Sequence, residues 1–260
     1  VEDNEMKKYP RTGKYDDKWV SENWMGPNPL WLLEELCEHM DLKPGMKVLD
    51  MGCGKGITSV FLAKEFGVTV FANDLWISAT ENLKRFEEAG VAERAFPIHA
   101  EAHALPYAEE FFDAAISIDS YQYFGADEMY FPCTYSKLVK SGGQFGIVLP
   151  GLTKEFDKGY PDTLKEVWEG EMFSFHSKDW WRHLWEKTGM VAITACYDME
   201  EPKEIWGPWA KWAKEHLGFN DVEFLNADTH NDIALIVMSA IKQPPAPAAC
   251  PTRTPPPGSV

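Results

Sequence analysis

Between residues 47 and 149 the chain repeats one alternation: a short apolar run, a turn, then a stretch of helical spacing. Runs 47–51 (KVLDM), 68–73 (VTVFAN), 95–100, 113–118 (DAAISI) and 144–149 (QFGIVL) read as strands. Stretches 56–66, 77–89 and 127–139 read as helices. Strands that are apolar along their whole length are buried on both faces, so helices must cover both sides of a parallel sheet. A helix opens at Asn28, with Pro29 at its first position. Beyond 150 the pattern predicts helices over 178–189 and 203–216 and strands over 190–197 and 232–241. Pro208 either breaks the second of these helices or marks its start. The fold expected from this alternation is α/β: βαβ units around a parallel sheet, with seven candidate strands in the chain.

Three segments fall outside the alternation. Residues 1–27 are polar with scattered aromatics and read as a mobile arm or lid. Residues 28–242 form the main domain, with cap insertions at about 151–176 and 199–217. Residues 243–260 hold seven prolines in eighteen positions and read as a disordered tail.

Charge and cysteine usage exclude several classes. With 25 Lys and Arg against 41 Asp and Glu, the net charge is −16, and no basic run interrupts the acidity. Nucleic acid and anionic membrane surfaces are therefore not expected partners. No run of about 18 apolar residues is present to span a bilayer, and the first residues lack the apolar core of a signal peptide. Five cysteines, an odd number without CxxC or Cys/His ligand spacing, point to a reducing, cytoplasmic setting and no metal site. Monomer and homodimer are both compatible with the sequence.

The first strand runs into VLDMGCGKG, residues 48–56. A dinucleotide fingerprint needs GxGxxG, but Gly52, Gly54 and Gly56 make GxGxG, with Ile57 where the third glycine would stand. A phosphate-binding Walker loop needs GK followed by Ser or Thr, and Lys55 lies inside the glycine run instead. What remains is a loop whose backbone can approach a ligand at a helix N-terminus. Asp74 ends the second strand, where a carboxylate can accept both hydroxyls of a ribose. After the third strand comes EAHALPY, in which Glu101 can accept from an adenine amino group and the Ala102 N–H can donate to its ring.

In this order and spacing, VLDxGCGxG, the later Asp, EAHALPY, FFDAAISIDSYQYF and LVKSGGQF resemble the class I S-adenosylmethionine-dependent methyltransferases, notably their small-molecule group. The resemblance covers residues 28–150 well and the last two strands loosely. It implies a Rossmann-like methyltransferase fold, an α/β doubly wound, mostly parallel sheet of seven strands with a helical cap, and S-adenosyl-L-methionine as cofactor. Asp50, Gly52, Gly54 and Gly56 would cradle its methionine end and Asp74 its ribose. Leu75 and Trp76 would flank the adenine, while Glu101 and Ala102 read its edge. Trp24 and Gly26, in ENWMGP, would close over the cofactor, and Asp119 at the end of the fourth strand is counted with this set. Two departures are Glu101 where Asp is commoner and SGG in place of PGG.

The substrate expected is a small molecule methylated by in-line displacement, with an amine or heteroaromatic nitrogen as first choice. Oxygen, carbon and sulfur acceptors stay open. Tyr121 and Tyr123, two apart, would share one side of an extended loop and orient the acceptor, or pack under the lid. His176 is a candidate base, or else a loop residue beside the helix cap Ser177. His99 and His103 read as packing residues. Seven tryptophans follow residue 160. At helical spacing they suit a core, and alternatively an aromatic cap over the substrate. Aminopropyl transfer, a nicotinamide dehydrogenase and a non-catalytic cofactor-binding subunit are the competing functions, and Ile57 disfavours the dehydrogenase.

Overall fold

A computed structural model describes residues 8–244. Residues 245–260 of the expected tail and the first seven residues of the arm lie outside the described residues. Seven strands form one sheet: β1 (Lys47–Met51), β2 (Thr69–Asp74), β3 (Ala95–His99), β4 (Phe112–Ile118), β5 (Val139–Leu152), β6 (Val191–Asp198) and β7 (Ile233–Lys242). Their order is β3-β2-β1-β4-β5-β7-β6. The first five pair in parallel, and β7 runs antiparallel between β5 and β6. From β1 the chain winds outward to β3, then returns to start β4 on the other side of β1. Crossovers therefore diverge between β1 and β4, which opens a crevice at their carboxyl ends. The last residue of β7 lies at the opposite edge, where Lys242 Nζ donates to Val139 O at the start of β5 (2.7 Å).

Among the described residues eight helices accompany the sheet: α1 (Asp17–Asn23), α2 (Pro29–Cys37), α3 (Ile57–Phe66), α4 (Ala79–Glu88), α5 (Ser136–Leu138), α6 (Lys178–Glu186), α7 (Pro202–His216) and α8 (Asp221–Ala227). Alternate strand residues feed two cores. Val48, Val70, Ala114 and Val148 pack with α2, α3, α7 and α8, whereas Leu49, Ala115, Phe145 and Leu149 pack with α6 and the residues before α5. This period of two is the burial on both faces that unbroken apolar strands require.

Local chemistry sets the ends. Asn28 caps α2 by accepting from Leu30 N (3.1 Å), and Ser78 with Glu81 forms a capping box on α4. The helix expected at 127–139 shrinks to a π turn, Phe131–Tyr135, and the single turn α5. Pro132 has no N–H to offer the preceding turn, which disfavours a regular α-helix running through it from 127. By contrast α7 continues through Pro208, because Ile205, Trp206, Trp209, Ala210 and Ala213 on its inner face are buried. α1 and α8 have no counterpart in the expected pattern.

The described part of the arm is docked. Glu34 on α2 is 4% exposed and accepts from Arg11 N (2.8 Å), Thr12 N (2.7 Å) and Thr12 Oγ1 (2.7 Å). Tyr9 stacks on Trp31, with ring centroids 5.6 Å apart. A carboxylate that takes three donors orders a strap that its polar composition alone would leave loose. Among the described residues no helix is long and apolar enough to cross a membrane.

Candidate active site

A cleft of ≈ 220 Å³ opens at the carboxyl ends of β1, β2, β3 and β4. Its floor is the glycine loop. Gly52 N and Cys53 N both donate to Asn73 O (2.8 and 3.0 Å), which folds the chain back over β2. Gly52 has φ +71°, and a Cβ there would lie 2.1 Å from Ser120 Oγ. That hydroxyl in turn donates to Met51 O (2.9 Å), so the β1 and β4 loops are riveted together. Asn82 on α4 holds the other side through Nδ2 to Gly54 O (2.8 Å).

Asp74 stands at the end of β2 and is 7% exposed. Its Oδ1 accepts from Trp76 N (2.7 Å) and Ile77 N (2.8 Å), and its Oδ2 accepts from Gly54 N (2.8 Å). The three donors fix the carboxylate and leave a lone pair on Oδ2, since each oxygen accepts two hydrogen bonds. Leu75, Trp76, Glu101 and Ala102 line the cleft beside it, as does His103. His103 is more than packing. Its ring Nδ1 and its backbone N meet Glu101 Oε1 and Oε2, both at 2.8 Å. Those bonds hold the Glu101 carboxyl below its usual range.

The front wall comes from the arm and the β4 loop. Met25, Gly26 and Pro27 face Asp119, Tyr123 and Phe124. A Cβ on Gly26 would sit 1.8 Å from Asp119 Oδ2, so only glycine lets the arm approach this closely. Asp119 itself has φ +53°, a strained backbone for a non-glycine residue at the rim. Trp76 and Tyr123 meet edge to face, with centroids 5.4 Å apart. Lys55 also lines the cleft, but its ammonium donates to Glu22 O (2.9 Å) and ties α1 to the glycine loop.

Several expected residues stand elsewhere. Tyr121 is fully buried, and its hydroxyl accepts from Trp185 Nε1 (3.2 Å); burial pushes that hydroxyl well above its ordinary pKa. The loop is not extended here but a 3-10 turn over Tyr121–Tyr123. At three residues per turn, positions two apart point in different directions, so Tyr123 reaches the cleft and Tyr121 the core. His176 stacks on Trp180 at 3.7 Å and pairs with Glu155 Oε2 (3.1 Å), and it is not among the cleft-lining residues. Trp24 packs edge-on against Trp209 and Trp212 behind the wall, and its neighbour Met25 faces the cleft instead. Gly56 (φ +77°) caps α3, where a Cβ would meet the Phe86 ring at 2.5 Å; it serves packing of α4 rather than the cleft. Asp50 lies beneath the loop, its Oδ2 accepting from Thr58 Oγ1 and Ser59 Oγ, both at 2.6 Å. None of the tryptophans after residue 160 lines the cleft; Trp181 and Trp185 are fully buried and Trp206 and Trp209 nearly so.

The residues missed by sequence reasoning are Asn73, Asn82, Phe124 and the Glu101–His103 contact. Asn73 Oδ1 is a buried acceptor with no partner among the described residues, in a side chain at the cleft wall. That orphan, the clamped Asp74 carboxylate and the acids Glu101 and Asp119 suit a ligand with hydroxyls and positive charge. Apolar Met25, Leu75, Ala102 and Ile118 suit a flat base. This set of acceptors and apolar side chains therefore fits an adenosyl sulfonium.

Residues 48–143 match the family described as "Methyltransferase domain". Methyltransferase GfsG of Streptomyces halstedii is 36% identical over 90 residues, covering 34% of this chain and 32% of that protein. Sterol 4-C-methyltransferase strm-1 of Caenorhabditis elegans is 24% identical over 175 residues, covering 66% of this chain and 47% of that one. The chain thus spans less than half the length of either curated relative. Among solved structures, Haemonchus contortus phosphoethanolamine N-methyltransferase 2 in complex with S-adenosyl-L-methionine aligns with TM-score 0.68 and 20% identity, over 91% of this chain and 58% of that one. At that identity the likeness speaks for the fold.

Proposed function

Starting from the class I S-adenosylmethionine-dependent methyltransferase domain that the chain carries, we propose that the protein methylates a small molecule on an amine or heteroaromatic nitrogen. The observation that carries the acceptor class is the charge of the cleft. Asp74, Glu101 and Asp119 line it, while Lys55, the one Lys or Arg among its lining residues, points its ammonium at a backbone carbonyl. An anionic acceptor would be repelled, and a cationic or weakly basic one drawn in.

In this reading Asp74 accepts the ribose hydroxyls, Leu75 and Ala102 enclose the base, and Asn73 Oδ1 gains a donor. Bound S-adenosylmethionine supplies an electrophilic methyl group on a sulfonium. The chain's part is to hold the acceptor in line and keep water away. Asp119 holds the acceptor nitrogen through its N–H, with Tyr123 and Phe124 against its flanks. Met25 and Gly26 shut the front. No base is assigned to Tyr121 or His176; an acceptor that arrives as an ammonium ion first gives one proton to solvent at the rim, which frees the lone pair that takes the methyl group.

A panel of amines, heteroaromatics, phenols, thiols and isoprenoids, assayed for release of S-adenosylhomocysteine, tests the proposal. Turnover of amines is expected. Asp119→Asn should raise KM for the amine about tenfold or more, as loss of a charge-assisted hydrogen bond does, with S-adenosylhomocysteine affinity kept within about twofold. Turnover confined to neutral apolar acceptors, as the sterol relative's name would suggest, would replace nitrogen by carbon. Absence of calorimetric binding of the cofactor product would remove the whole reading.

A further inference from the structure

Glu101 sits on the loop after β3, with a side chain 44% exposed. An exposed glutamate on a loop samples many rotamers, and fixing one costs conformational entropy that a ligand must offset. Here a residue two positions on does the fixing. His103 closes a ring on it: backbone N to Oε2 and Nδ1 to Oε1, both 2.8 Å. Because an ionised carboxylate only accepts, Nδ1 carries the proton in this contact. The His103 ring is braced in turn. Its centroid lies 4.9 Å from that of Tyr130, edge to face, and the buried Tyr130 reaches Ala102 O through its hydroxyl (3.4 Å). Glu101, Ala102 and His103 are thus one braced unit at the cleft wall. Each Glu101 oxygen keeps a lone pair for a ligand donor.

We propose that His103 is a positioning residue that pre-orients Glu101 toward the exocyclic amino group of the cofactor's base, and so sets the selectivity for adenine. This rests on the cofactor reading above. A base with an amino group donates to the held carboxylate; a base with a carbonyl there sets oxygen against oxygen and is rejected. Without the His103 ring only the backbone N still holds Oε2, so the Oε1 side of the carboxylate can rotate away, which weakens the first contact and relieves the second clash.

Calorimetry with S-adenosylhomocysteine and S-inosylhomocysteine tests this without turnover. The wild-type protein should prefer the adenine compound. His103→Ala should weaken that compound about tenfold, in the range of one charge-assisted hydrogen bond, and leave the inosine compound unchanged or tighter. His103→Asn, whose amide nitrogen can stand in for Nδ1, should restore the preference. Glu101→Gln should narrow it by itself, and adding His103→Ala should change nothing further. Equal weakening of both compounds by His103→Ala, or an unchanged preference, overturns the positioning role and leaves the cofactor reading intact. Failure of the wild-type protein to bind either compound overturns the cofactor reading, and this proposal with it.

Discussion

At Gly52 two constraints meet: a left-handed backbone, and a Ser120 hydroxyl where a side chain would begin. Alanine there should cost at least 1 kcal/mol, roughly, from the backbone alone. It should also abolish calorimetric binding of S-adenosylhomocysteine while circular dichroism stays native; unchanged binding would remove Gly52 from the site. Asp50 makes a different prediction. Burial, only partly offset by the Thr58 and Ser59 hydroxyls, raises its carboxyl to about 6. The folded pKa exceeds the unfolded one of about 3.9, so the folded state binds the proton more tightly, and stability falls as pH rises from 4 to 6. This contribution amounts to about 3 kcal/mol and is complete above that window. Asp50→Asn should erase it, so a plot of variant minus wild-type stability against pH should climb between 4 and 6 and then level off. A flat plot would mean that Asp50 ionises in place without strain. The rim residues were legible in the sequence because glycine, Asp74 and the EAHALPY segment each answer a local demand. The side of the backbone on which a residue falls was not. Tyr121 and Tyr123 differ in burial through a three-residue turn that the aromatic spacing does not announce.

Among the elements, the strands were the most readable. All seven fall within a few residues of their apolar runs, although β5 extends from 144–149 to Val139–Leu152. Elements whose residence depends on tertiary packing were harder to see. The interior proline of α7 argues locally for a break, yet the helix persists because its inner face is buried. Pro208 itself is exposed, so Pro208→Ala sacrifices no packing and regains an N–H for the Glu204 carbonyl. Its urea midpoint should rise by the equivalent of about 1 to 3 kcal/mol; a lower midpoint would show that the proline shapes a bend the fold needs. The tryptophan stripe follows the same rule. Its spacing marks a buried helix face, whereas only the layer order decides whether that face looks at substrate or at core, and here it looks at core.

For the whole molecule, the net charge of −16 and the acids around the cleft act in one direction. A cationic acceptor should arrive faster than a neutral one of equal size, and its kcat/KM should fall as salt rises from about 0.02 to 0.3 M, where the screening length shrinks severalfold. A neutral acceptor should show no such slope, and equal slopes would take steering out of the account. The alternation alone announced βαβ units and a parallel sheet, and the doubly wound order came from the resemblance of the glycine loop and its companion motifs. The docking of the arm was not, since Glu34 looks like any helical glutamate until the strap is laid across it. The placement of β7 also bears on handling. Its closing residue, Lys242, is fastened beside Val139, at the far side of the sheet from the mouth of the cleft. A bead, a fluorophore or a fused carrier joined just after that point would hang beneath the protein, and small molecules would still enter from above.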